Sequence, residues 1–136
     1  MAEESQRQTD ARRRHELAAG SAQAEAKAAQ QQLNAFVARL HELGVSPEPL
    51  QATLLNGSRV KTGQSGWYLN QARTLAVAAD GTYYQLVTAG AALARFTGVK
   101  LQPSAPTLVI GRGGRDGETG DLADFLERAL DGYTGS

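Results

Sequence analysis

The chain contains no cysteine, which excludes a disulfide framework and thiolate chemistry and suits a reducing cytoplasm. Histidine is nearly as scarce, with two residues, His15 and His41. Both fall in the N-terminal segment, which reads as remote from the core. Spacing nominates no Ser-His-Asp arrangement and no catalytic carboxylate pair, and a zinc site would need carboxylates for most of its ligands. A non-enzymatic protein with no cofactor and no metal is therefore expected. Long apolar runs are also missing, and none approaches the roughly 20 residues that span a bilayer. The opening stretch "MAEESQRQTDARRRHELAAG" lacks the apolar centre of a secretory signal. A soluble, cytoplasmic protein that does not engage membranes is the expectation.

Large apolar residues are absent from the first quarter. Residues 1–32 contain no Val, Ile, Phe, Trp or Tyr, and Leu17 is their only large branched side chain. A core must therefore come from about residues 33–131, which is small but sufficient for independent folding. Residues 1–20 are polar, balanced in charge and broken by Gly20, so they read as a disordered or frayed tail. Within them, Arg12, Arg13, Arg14 and His15 stand among Glu3, Glu4, Asp10 and Glu16, as in a solvated segment rather than a nucleic-acid or lipid contact.

Formal net charge is zero, but its parts are unevenly placed. Residues 49–115 carry seven basic groups, Arg59, Lys61, Arg73, Arg95, Lys100, Arg112 and Arg115, against one acidic, Asp80. Residues 116–136 carry six acidic groups against one basic. The basic middle either attracts the acidic end or faces an anionic partner.

The clearest helical pattern covers residues 21–44. Ala22, Ala26, Ala29, Leu33, Phe36, Leu40 and Leu43 alternate in steps of four and three, an a/d heptad seam that is alanine at its start and strong at its end. Ser21 is a candidate N-cap and Gly44 a candidate C′ residue. Either the C-terminal half docks on the core or the seam pairs with another chain. Leu33, Phe36 and Leu40 are the candidate partner-binding residues for a protein partner or a homodimer.

Residues 45–136 read as a small α+β domain. Ser46-Pro47 suits the start of a helical turn, and residues 50–55 lean towards a turn of helix followed by extended chain. Asn56-Gly57 and Asp80-Gly81 are hairpin signals. A two-residue turn at Asp80-Gly81 predicts Ala79 opposite Thr82, Val77 opposite Tyr84 and Leu75 opposite Leu86, with one apolar face. Trp67 and Leu69 fall on a preceding strand, giving a meander, and "PTLVIG" reads as a further, central strand. Asp121 is a candidate cap, with Asp124 as a partial capping box, for a helix whose stripe is Leu122, Phe125, Leu126, Ala129 and Leu130 and which Gly132 ends. The fold expected is α+β, with a long N-terminal helix, a small antiparallel β-meander and a C-terminal helix packed on the sheet.

"VIGRGGRDGETGDL" has the strand, glycine-rich loop and helix order of a phosphate cradle. Neither the P-loop nor the dinucleotide spacing fits, because Asp116 or Glu118 falls where glycine is needed. A flexible connection is the plainer reading, and Arg112 and Arg115 remain as candidate anion-binding residues. Asp116, Glu118 and Glu127 fit three EF-hand places, but the obligatory glycine is Asp121.

Trp67-Tyr68-Leu69 resembles the WYL domain, an SH3-like β module of bacterial regulators that sense ligands or nucleic acid. The arginine-rich run of that family is replaced here by "RTLAVAAD". Heavy use of Ala, Gly and Arg, and residues 45–131 more broadly, resemble small uncharacterised proteins of high-GC Gram-positive bacteria, a likeness that implies no activity. The leading expectation is a non-enzymatic interaction or accessory protein that binds a protein partner or self-associates. The alternative is a nucleic-acid-binding module in which Arg59, Lys61, Arg73, Arg95 and Lys100 contact phosphates while Trp67 and Tyr83 stack on bases.

Overall fold

In the computed structural model, which describes residues 2–88, 98–111 and 119–135, the heptad segment is the second half of a much longer helix. Helix α1 runs from Ala2 to Glu42. Its composition explains the length, since Ala, Glu, Gln, Arg and Lys dominate and no proline precedes Pro47. Ser21 is thus an interior helical residue rather than an N-cap, and Gly20 does not break the chain. Gly44 does end it, at φ 73°. The Val45 amide donates to the Leu40 carbonyl at 3.0 Å and the Gly44 amide to the His41 carbonyl at 3.1 Å, a Schellman closure.

Among the described residues seven strands follow: β1 (Glu48–Leu54), β2 (Arg59–Tyr68), β3 (Leu75–Ala78), β4 (Tyr83–Gln85), β5 (Val87–Thr88), β6 (Val109–Ile110) and β7 (Gly120–Asp121). Helix α2 (Leu122–Thr134) completes the described chain. Residues 48–54 are a strand and not the helical turn expected there. Their alternation of buried Leu50, Ala52 and Leu54 with outward Gln51 and Thr53 suits a sheet with one wet face.

Two hairpin turns are built alike. In each, an i→i+3 bond closes the turn, from Gly57 N–H to the Leu54 carbonyl and from Gly81 N–H to the Ala78 carbonyl. Asn56 Oδ1 then accepts from Ser58 N–H at 2.9 Å, and Asp80 Oδ1 from Thr82 N–H at 2.9 Å. Gly57 and Gly81 sit at φ 89° and 93°, while Asn56 and Asp80 keep negative φ. These are three-residue turns with a glycine bulge, not the two-residue primed turn expected at Asp80-Gly81, which needs positive φ at both positions. The extra residue shifts the pairing by one. Val77 faces Tyr83, Ala76 faces Tyr84 and Leu75 faces Gln85.

That slip exchanges the faces of β4, and both faces of β3 and of the β2 residues paired with it, Gly66 to Tyr68, are buried. Trp67, Leu69, Leu75, Val77 and Tyr83 point to one side, where α1 supplies Leu33, Phe36 and Leu40, and α2 supplies Leu122, Phe125 and Leu126. His41 reaches this layer too, with its ring edge-on to Trp67 at 5.4 Å, so it is not remote from the core. Tyr68, Ala76, Ala78, Tyr84 and Leu86 point to the other side, against Leu50, Ala52, Leu54 and Val60.

The main sheet has the order β4-β3-β2-β1-β5, antiparallel except for the β1–β5 pair. β4 and β5 are one continuous stretch of chain broken only at Leu86. There the Leu86 amide donates to the Thr74 carbonyl at 2.8 Å, and the Leu86 carbonyl accepts from Thr53 N–H at 2.6 Å. The sheet therefore curls until its two edges meet in one segment. A bulge at Gly63, φ 73°, bends β2 and helps this closure, and Thr62 Oγ1 fastens it by donating to the Leu50 carbonyl at 2.8 Å. Segment 98–101 lies beside the first half of β2, where Val99 N–H donates to the Lys61 carbonyl at 2.8 Å and Leu101 adds to the inner core.

β6, expected as a central strand, instead pairs only with β7 in a separate two-stranded sheet. Asp121 occupies the N-cap of α2 without a side-chain capping bond, so the expected capping box does not form. The Leu108 carbonyl accepts from Leu122 N–H at 2.8 Å. α2 also passes through Gly132 and stops at Gly135, φ 75°. The architecture is α+β, with the long N-terminal helix and the C-terminal helix covering the outside of the curled sheet.

Two substitutions test this packing. Phe36 is 5 % exposed, so Phe36→Ala should lower unfolding free energy by about 3–5 kcal/mol in urea titration. A Cβ at Gly66 would collide with the Val77 carbonyl across the β2–β3 pair. Gly66→Ala should therefore cost about 1–3 kcal/mol or more; a neutral result would contradict the pairing.

Candidate functional site

The residues nominated from the sequence separate into three fates. Leu33, Phe36 and Leu40 are 0 %, 5 % and 0 % exposed, engaged by the chain's own sheet and α2, and so are corrected from partner-binding to core residues. Trp67 and Tyr83, 0 % and 3 % exposed, lie in the same layer and cannot stack on bases. Their aromatic rings seal the junction of sheet and helix, a more ordinary use of a large apolar area. Arg59 and Lys61 stay exposed on one face of β2, two residues apart, opposite Thr53 and Gln51 of β1. Lys100 is also exposed. Arg95, Arg112 and Arg115 lie outside the described residues, as do Asp116 and Glu118. Gly111 and Thr119, which flank the glycine-rich stretch, adjoin the paired β6 and β7.

Two features outside the core layers stand out. The first is the leading half of α1. From Gln6 to Ala24 every side chain is exposed except the partly buried Asp10. Docking begins at Glu25, whose Oε1 accepts from Leu108 N–H at 3.2 Å, and continues at Gln30, whose Nε2 donates to the Gly81 carbonyl at 2.6 Å. The segment before Glu25 is an arm of roughly 35 Å at 1.5 Å per residue. Leu17, 67 % exposed, is its one large apolar side chain.

The second is a cleft of about 640 Å³ between the turn after β2 and helix α2. Asn70 builds the turn, its Oδ1 accepting from Thr74 and Leu75 N–H at 3.0 and 3.2 Å and its Nδ2 donating to Thr74 Oγ1 at 2.7 Å. Arg73 is held there at φ 58°, the left-handed region, the only non-glycine residue with positive φ among those described. Such a conformation costs on the order of 1–3 kcal/mol and persists only where surrounding bonds impose it. The Arg73 guanidinium lies 5.2 Å from the Tyr68 ring centroid. On the opposite wall Arg128 lies 4.7 Å from the Phe125 ring centroid.

At the back of the cleft, Tyr133 joins α2 to the sheet. Its Oη accepts from Tyr68 N–H at 2.7 Å and donates to Glu48 Oε2 at 2.9 Å. Burial holds the Tyr133 phenol well above its ordinary range despite the opposing bond from Tyr68, so it stays protonated and keeps donating to Glu48. Glu48, Arg73 and Arg128 leave the cleft with a balance of one positive charge. Composition gave no signal for this site. Arg73 was nominated from the sequence as a phosphate contact of a nucleic-acid face, whereas its pairing with Arg128, 55 positions apart, exists only in the fold.

Among the described residues no helix is long and apolar enough to cross a membrane. Comparison with family models, with curated proteins and with solved structures returns no match.

Alkaline titration tests the buried aromatic layer. Burial pushes the Tyr83 phenol up to about 12, against a smaller opposing hydrogen bond from Gln85. The unfolded chain ionises near pH 10 while the folded chain keeps its proton, so the stability is complete below pH 10 and is lost as pH rises towards 12. The loss should be about 2–3 kcal/mol over that window. Tyr83→Phe should flatten the slope there; an unchanged slope would place Tyr83 in solvent.

Proposed function

We propose that the protein is a non-enzymatic interaction or accessory protein of the cytoplasm, which engages a second helix through the projecting arm of α1. The partner helix belongs to another copy of the chain or to a different protein. One observation carries this reading: the chain continues as helix for some six turns ahead of Glu25, and the described side chains there, from Gln6 to Ala24, are exposed apart from the partly buried Asp10. A helix without packing is marginal in water, because most helical stability in proteins comes from burying one face. The heptad seam supports the same direction. Ala29, Leu33, Phe36 and Leu40 are spent on the core, whereas Ala22 stays exposed on the arm, with Leu17 as the strongest apolar contact for a partner.

The nucleic-acid alternative keeps Arg59, Lys61, Arg73 and Lys100 as exposed cations but has lost both of its nominated stacking rings. Exposed cations alone give salt-sensitive, sequence-independent attraction.

At concentrations too low for association, the full chain and a variant lacking residues 1–24 should melt at the same temperature, since the described side chains from Gln6 to Ala24 stay exposed apart from the partly buried Asp10. In sedimentation equilibrium across micromolar concentrations the full chain should dimerise, and the truncated chain should not. Leu17→Glu should weaken dimerisation at least tenfold. If the full chain is monomeric, a photo-crosslinker at position 17 in the native cell should capture one protein that Leu17→Glu fails to retain. Identical behaviour of full-length and truncated chains in both measurements would overturn the reading.

A further inference from the structure

We propose that the cleft between the 70–74 turn and α2 is an oxyanion-binding site, in which Arg73 and Arg128 hold the carboxylate or phosphate group of a small organic ligand. The inference stands apart from the arm and shares no residue with it.

Four observations converge on it. Arg73 occupies a left-handed position, φ 58°, where glycine or asparagine is strongly preferred. Asn70 bonds the turn into that shape from within, so the strain fixes where the guanidinium sits rather than arising from its own packing. Strain retained at a non-glycine residue is found where the side chain has work to do. Arg128 faces the same space, and among the described residues neither guanidinium forms an ion pair with a carboxylate. Each instead lies over an aromatic ring, which orients the planar fork while leaving donors for a ligand.

The cleft has the space for more than a bare ion. At about 640 Å³ it falls within the usual range for small-molecule sites. Ala129 and Gly132 keep the α2 wall low, and a Cβ at Gly132 would meet nothing within 4 Å. Glu48, the one carboxylate lining the cleft, is tied to the Tyr133 hydroxyl at 2.9 Å, which disperses its charge. Bidentate guanidinium recognition suits planar carboxylates and phosphates and disfavours halide ions. The ligand class is therefore an oxyanion borne on an organic body that fills the remaining room.

The test uses full-length, 15N-labelled protein titrated with sodium phosphate and, separately, sodium acetate. Sodium chloride keeps the ionic strength constant. The Nε–H resonances of Arg73 and Arg128 and the amide of Gln71 should shift saturably at millimolar concentrations, and phosphate against acetate decides between the two oxyanions. Arg73→Gly relieves the backbone strain, so its melting temperature should be retained or raised while affinity falls at least tenfold. Arg128→Gln, on the exposed face of α2, should weaken binding equally without altering the melting temperature. Gly132→Leu should occupy the cleft and abolish the shifts, leaving the remaining amide spectrum in place. Shifts that never saturate, or folded Arg73→Gly and Arg128→Gln variants that bind as the parent does, would overturn the proposal and leave a purely structural turn.

Discussion

Strands β3 and β4 carry apolar side chains on both faces, and neither face can be left to water. Leu75, Val77 and Tyr83 point one way while Ala76, Ala78 and Tyr84 point the other. Burying side chains of this size contributes about 1.5–3 kcal/mol for each large one, so both layers are needed in a chain this small. The inner layer forms because the sheet curls and closes through Leu86, which bonds to Thr74 on one side and Thr53 on the other. The outer layer forms because α1 and α2 lie across it. Without α1, the Trp67 face of the sheet would be left to water where Leu33, Phe36 and Leu40 now cover it. The C-terminal half of α1 is thus as much a part of the core as any strand.

Local chemistry made part of this fold legible. The seam from Leu33 to Leu40, the glycine after Leu43, the meander around Trp67, Val77 and Tyr84, and the stripe of α2 each follow from periodicity or from a turn residue. Register was harder. Asp80-Gly81 is compatible with a two-residue primed turn and with a three-residue turn ending in a glycine bulge, and a difference of one residue turns Tyr83 and Tyr84 to opposite faces. Long-range pairing left no local trace either. Residues 48–54 are a strand because β2 and β5 lie beside them, and "PTLVIG" is a marginal one because among the described residues it pairs with Gly120 and Asp121 alone. The aromatic residues nominated for a site were the core itself, since alternation marks burial without saying whether a face is covered. The Arg73 and Arg128 cleft needed two distant segments to meet. Nothing in either segment alone announces it.

The same division organises function. The closed sheet and its two docked helices use most of their apolar residues internally, and the outward features among the described residues include the polar arm, the exposed cations Arg59, Lys61 and Lys100, and the cleft. Among the described residues the arm is the extended helical surface that the core does not cover, and Arg73 in the cleft is the one non-glycine residue in the left-handed region. The recognition proposed for the arm and that proposed for the cleft would draw on different physics, helix packing in one case and charge-assisted hydrogen bonding in the other, so substitutions in one should leave the other and the core undisturbed.

Native-state hydrogen exchange on dilute full-length protein tests the central claim, that α1 is half core and half arm, most directly. Amides from Ala29 to Leu40 should exchange only on global unfolding, with the same opening free energy as those of Val77 and Tyr84. Amides from Gln6 to Ala24 should exchange by local opening, within about 1–2 kcal/mol of the unprotected chain. Global protection running unbroken into the first twenty residues at high dilution would show that the arm packs on its own core. Weak protection at Leu33 to Leu40 would show that the outer layer is not held by the helix at all. Either result would contradict the account.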